Sequence, residues 1–190
     1  MSSKFEASLS RIKPEKLNNP LQRRPDSALE FIETSTVKPA KLLYDTTVYI
    51  DILQNRFPKD GEPMLRAADA WHSPVTEAEL AAACGLLDPD HSGTRKIIEE
   101  IAALIDKRPV QRTVMPDQLV WREAGILSGI LARLQGYEKD ERRRTLNDAL
   151  LYVSARRSGC TVLSRNISDF DFLQQLDPAG RILFYRVLAS

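Results

Sequence analysis

Leu42-Leu43-Tyr44 is a short apolar run that delivers Asp45 at its end and passes at once into Thr46-Thr47-Val48-Tyr49-Ile50-Asp51. The run is too short for a helix and lacks a polar face, which fits a buried strand of a parallel sheet followed by a helix. Ligands of open α/β sheets bind at the carboxyl ends of strands, where Asp45 falls. A carboxylate there either caps the helix that follows or joins a cluster that binds a divalent metal. One aspartate leaves both readings open.

The rest of the chain continues the alternation. Helices are predicted over 48–55, 63–71, 76–87, 94–107, 116–134, 147–158 and 169–176, with 73–75 extended and strands over 110–114, 161–163 and 181–185. Gly136 and Gly159 are placed to end two of the helices. Residues 138–144 read as a charged connection, and 149–155 are almost wholly apolar, as in a helix buried on most sides. This order implies a three-layer α/β/α sandwich with a mainly parallel sheet. Residues 1–38 are polar and rich in proline, and read as an extended or partly disordered arm before a domain over 39–190. The exception is a short apolar patch at Leu29, Phe31 and Ile32, which reads equally as a segment docked on the domain or as a partner-binding element.

At 190 residues, 43% hydrophobic and 28% charged, the chain suits one soluble globular domain plus an appendage. A net charge of +1 argues against coating nucleic acid by charge alone, while leaving room for a local basic face. Cys84, Cys160, His72 and His91 lack zinc-ligand or nucleophile spacing, so the cysteines read as reduced thiols. No secretory signal and no apolar run near the ~20 residues of a membrane span is visible, and a cytoplasmic location is expected.

Acidic or amide residues recur at the predicted junctions: Asp45, Glu79, Asp148, Asn166 and Asp169. In a parallel sheet such junctions share one edge, and clustered carboxylates suit Mg²⁺ or Mn²⁺. Each also has a plain structural use. Thr76 and Glu79 fit a capping box, Asp148 fits a first-turn acid after an Asn147 cap, and Asp169 fits the cap of the last helix. Asp51 reads as a surface acid early in its helix. Trp71 and Trp121 read as packing residues, with stacking on bases as the other use.

Taken in order, these segments resemble the motifs of the PIN-domain ribonucleases, most of all the VapC-type toxins of prokaryotic toxin-antitoxin pairs. The first is Leu42-Leu43-Tyr44-Asp45-Thr46-Thr47-Val48, and the second is Ser73-Pro74-Val75-Thr76-Glu77-Ala78-Glu79-Leu80. The third runs from Asn147-Asp148 through an apolar helix to Gly159, and the fourth is Val162-Leu163-Ser164-Arg165-Asn166-Ile167-Ser168-Asp169-Phe170. The resemblance extends from about Pro39 to Val187 and includes the closing strand. Two positions depart from it: Thr47 stands where the family usually has Asn, and Asn166 where many relatives have a fourth acid.

The resemblance implies a PIN-like fold and a Mg²⁺- or Mn²⁺-dependent endoribonuclease. Asp45, Glu79, Asp148 and Asp169 would be catalytic, and would bind metal together with Asn166. Thr46, Thr47, Arg144 and Arg165 would contact phosphate or RNA. The implied partners are structured RNA such as tRNA or rRNA, a small antitoxin and a second copy of the chain. For the last, Ile97, Ile98, Ile101, Leu104 and Ile105 offer an apolar stripe that serves equally as core. A PIN-fold binding module with weak catalysis and a housekeeping RNA-processing nuclease are the alternatives.

Overall fold

The computed structural model describes residues 4–36 and 38–187. Strands β1 (Lys41–Tyr44), β2 (Asp69–Trp71), β3 (Thr161–Ser164) and β4 (Arg181–Phe184) form one parallel sheet in the order β2-β1-β3-β4. Eight α-helices are described: α1 (Lys4–Ile12), α2 (Thr46–Leu53), α3 (Glu62–Ala67), α4 (Pro74–Leu86), α5 (Thr94–Asp106), α6 (Gln118–Gln135), α7 (Lys139–Ser158) and α8 (Ile167–Leu176).

Successive strand residues point to opposite faces of the sheet. Here both sets are apolar. Leu43, Val162, Ile182 and Phe184 pack with α1, α6, α7 and α8, while Leu42, Tyr44, Leu163 and Leu183 pack with α2, α4 and α5. The result is the expected α/β/α sandwich. Leu42, Leu43, Val162 and Leu163 are wholly buried, as central strands covered on both faces require.

The strand order has a direct consequence for chemistry. The chain leaves β1 toward β2 and leaves β3 toward β4, so the connections diverge between the two central strands. A crevice opens at such a switch point, at the carboxyl ends of the strands. Leu43 pairs with Val162 and Tyr44 with Leu163, so Asp45 and Ser164 follow side by side at that crevice.

Several elements differ from the sequence expectation. The helix read over 63–71 stops at Ala67, and Asp69–Trp71 joins the sheet as β2. Over 110–114 there is a 3-10 turn, Val110–Arg112, and a single bridge from Thr113 to His72, because Pro109 and the turn leave too little chain for a ladder. The charged stretch before Asn147 is not a connection. Lys, Arg and Glu are good helix formers, and α7 starts at Lys139 behind a capping box in which the Glu138 amide donates to Glu141 at 2.9 Å. Gly136 and Gly159 do close α6 and α7, at φ of 67° and 69°, where a side chain would be strained.

The segment read as an extended arm is packed over its described part. Ile12, Leu29, Phe31 and Ile32 are buried. Glu30 and Ile32 exchange backbone hydrogen bonds with Phe184 at 2.8 and 2.9 Å, along the outer edge of β4. Charges fix the rest. Arg11 reaches Glu123 at 3.0 Å and Asp177 at 3.1 Å, and Arg24 meets Asp171 at 2.5 Å. Leu29, Phe31 and Ile32 are thus a docked segment, while the polar anchors around Arg11 and Arg24 carry no local sequence signal.

Gly180 lies where a Cβ would fall on the phenol ring of Tyr152, whose hydroxyl donates to the Asp177 carbonyl. Gly180→Ala is therefore expected to destabilise the fold by about 1–3 kcal/mol, read as a lower urea midpoint at unchanged slope.

Candidate active site

Asp45 is the N-cap of α2, and one of its oxygens accepts the Thr46 amide at 2.7 Å. The other accepts the hydroxyls of Thr47 and Ser164, each at 2.7 Å. The helix-cap and cluster readings are thus both realised in one buried side chain. Burial pushes the Asp45 carboxyl above the usual range and Glu79 adds to it, while the Ser164 and Thr47 hydroxyls and the Thr46 amide oppose the shift.

Glu79 is not a capping-box residue. Ser73 caps α4 and Pro74 begins it, which places Glu79 in the second turn facing α2 and α7. Its oxygens accept Asn147 Nδ2 at 2.7 Å and the Thr46 hydroxyl. The Thr76 hydroxyl instead donates to the Tyr44 carbonyl at 3.3 Å, fastening α4 to the end of β1.

Because α7 starts at Lys139, Asp148 lies in its middle and is no first-turn acid. Desolvation holds the Asp148 carboxyl well above the carboxylate range, and Asp45, Asp169 and Glu79 raise it further, with Arg144 opposing. Asn166 answers this repulsion. Its Nδ2 donates to Asp148 at 3.2 Å and to Asp169 at 2.9 Å, a bridge that an ionised carboxylate in its place would be unable to make. Asp169 sits in the first turn of α8 and also accepts the Tyr137 hydroxyl at 3.1 Å.

The four acids therefore face one edge of the sheet, each held on hydrogen-bond donors. Among the described residues, no three His, Cys, Asp or Glu side chains are arranged as a metal-ligand cluster. Thr46 and Thr47 are engaged in holding Glu79 and Asp45, and Thr47 also accepts the Arg165 amide at 3.2 Å. Arg144 lies on α7 one turn before Asp148. Arg165 is turned away, into an ion pair with Asp51 at 2.7 Å.

Asp51 is the clearest correction. It is 0% exposed, not a surface acid, and it also meets Arg56 at 3.0 Å and the Tyr185 hydroxyl at 2.8 Å. An acid set between Val48-Tyr49-Ile50 and Ile52 was the available signal. Ser164, Asn147 and Tyr137 were also missed as partners of the acids, although Ser164 and Asn147 lie inside the motifs. Of the tryptophans, Trp71 is half-buried under the Lys41 ammonium, 4.9 Å from its ring centre, whereas Trp121 is exposed. Both cysteines are free, Cys160 buried and Cys84 half-buried.

An acid with a raised folded-state pKa binds more protons folded than unfolded, so stability falls as pH rises through that window. Asp148→Asn is expected to be more stable than the wild type at neutral pH without divalent cations. The difference should close toward pH 3.8, as measured by thermal melts across pH.

No protein-family model matches the sequence, and no curated protein matches it. Solved structures do. A chain of FitAB bound to an IR36 DNA fragment superposes with a TM-score of 0.53 at 20% identity, covering 76% of this chain and 94% of that one. A chain of DNA-bound VapBC from Salmonella typhimurium gives 0.54 at 18% identity, covering 76% and 97%. FitAcB from Neisseria gonorrhoeae gives 0.53 at 18% identity, covering 75% and 96%. At these identities the likeness is one of fold. With its four-stranded parallel sheet between two helical layers, the chain has the PIN-like α/β/α fold found in VapBC and FitAB complexes.

Proposed function

We propose that the chain is a metal-dependent endoribonuclease and the toxin of a toxin-antitoxin pair, cutting structured RNA such as tRNA or rRNA. The observation that carries the reading is that Asp45, Glu79, Asp148 and Asp169 all face the switch point, linked through Thr46, Asn147 and Asn166, where burial first and then the neighbouring charges raise the carboxyl of Asp148. Mutual repulsion of hard oxygen donors is what a divalent cation relieves. Asp45, Glu79, Asp148 and Asp169, with the amide oxygen of Asn166, are the residues that would hold Mg²⁺ or Mn²⁺. The chemistry such an ion supplies is a lowered water pKa and charge neutralisation at the phosphate.

The chain's own groups do the rest. Ser164, Thr46 and Thr47 fix both oxygens of Asp45, so that it enters the reaction already oriented. Asn147 and Thr46 do the same for Glu79. Asn166 does so for Asp148 and Asp169, to which its Nδ2 donates at 3.2 and 2.9 Å. Arg144 offers positive charge to the phosphate beside it.

The structural neighbours come from the two-component complexes VapBC and FitAB, and on that ground this chain is assigned a small antitoxin partner. Ile97 and Ile98 on α5 are 39% and 38% exposed, and form the apolar surface assigned to contact with a second copy. No described helix is long and apolar enough to cross a membrane.

The test is cleavage of tRNA and rRNA fragments in Mg²⁺, Mn²⁺ or EDTA, read at single-nucleotide resolution. Discrete cuts are expected with metal and none with EDTA or with Asp45→Asn. Ser164→Ala, which removes one of the two hydroxyls that hold the same oxygen of Asp45, should slow cutting by roughly 10–100-fold. Folded protein, free of partner, that leaves every RNA intact would refute the nuclease.

A further inference from the structure

A groove of about 380 Å³ opens between α4, α6 and α7, immediately beside Glu79. Its walls are apolar, from Val75, Met115, Trp121 and Leu150, and its rim carries Arg143 and Asn147. Trp121 is 52% exposed and Met115 69%, although the opposite face of α6 is buried. Apolar concave walls with a few polar groups at the rim are the form that ligand sites take.

The periodicity of α7 ties this groove to the acids. Arg143, Asn147 and Leu150 follow one another at helical spacing along the groove wall, while Arg144 and Asp148 form the adjoining row. Asn147 belongs to both places, since it lines the groove and donates to Glu79 at 2.7 Å. Arg143 is exposed and makes no hydrogen bond or ion pair among the described residues.

We propose that the groove seats one unpaired nucleobase of the RNA substrate, stacked on Trp121, with Arg143 on the adjoining phosphate. A nucleotide is the ligand class that carries a flat π-face and an anion a few bonds apart. The tryptophan and the free guanidinium answer those two features. The groove's continuity with Glu79 places the seated nucleotide next to the scissile bond. A base held in a duplex has no free face to stack, so this seat selects single-stranded segments such as loops.

The inference rests on the ribonuclease reading, and the test separates the two. Binding of a short single-stranded RNA and of its duplex would be titrated in EDTA, with cleavage followed in parallel in Mg²⁺. Trp121 and Trp71 are the two tryptophans, so quenching of fluorescence in wild type but not in Trp121→Phe reports the stacked base directly. Trp121→Ala should weaken single-strand binding about tenfold, Trp121→Phe should retain most of it, and Arg143→Ala should weaken it and flatten its salt dependence. Circular dichroism would verify folding, and Trp121→Phe with Arg143→Ala suffices if the alanine variant does not fold. Cleavage that persists while RNA affinity is indifferent to Trp121 and Arg143 would overturn the base seat alone and give the groove to a protein partner. Wild type that neither binds nor cuts RNA would overturn both readings.

Discussion

Repulsion among Asp45, Glu79, Asp148 and Asp169 is the condition that their surroundings satisfy. Packing a carboxylate near a sheet edge between apolar layers disfavours its charge, and gathering several in one crevice disfavours it again. The chain compensates with short polar side chains. Ser164 reaches across from β3, Thr46 and Thr47 from α2, Asn147 from α7 and Asn166 from the start of α8. The donors thus come from four different elements around the crevice. The same hydrogen bonds link α2 to α4, α4 to α7, α7 to the start of α8 and the end of β3 to Asp45, so the site also acts as a joint of the fold.

Much of this was legible because strands and helices meet in a fixed way. Asp45 ends an apolar run, and a parallel sheet aligns such ends along one edge, so the acids could be placed near one another without knowing any contact. Asn166 and Thr47 were legible as departures. Their meaning was not, because it depends on distances: one amide lies between two carboxylates, and one hydroxyl links Asp45 to the Arg165 backbone.

The misread positions share a cause. Asp51 was assigned to the surface by its chemistry, whereas its partners Arg165 and Tyr185 lie more than a hundred residues away, beyond any local pattern. The early start of α7 was missed for the opposite reason, since a run of charged residues suggests a solvated loop although most of them favour helix. Glu79 changed role because Ser73 is a better cap than Thr76 once Pro74 occupies the first helical position. In each case a local signal was outweighed by a contact or a propensity that the local signal does not contain.

The four-charge cluster at the back of the molecule has a further meaning. Glu123 and Asp177 are buried, and Arg156 from α7 bonds to both. Arg11 from α1 supplies the second cation, so two acids and two guanidiniums reach neutrality only when the N-terminal helix is in place. The stretch that carries the recognisable motifs and the stretch that balances its buried charge are therefore not the same length of chain. Folding of the half that carries the acids is bound to docking of the leading segment by electroneutrality, although neither contributes a residue to the other's most telling sequence pattern.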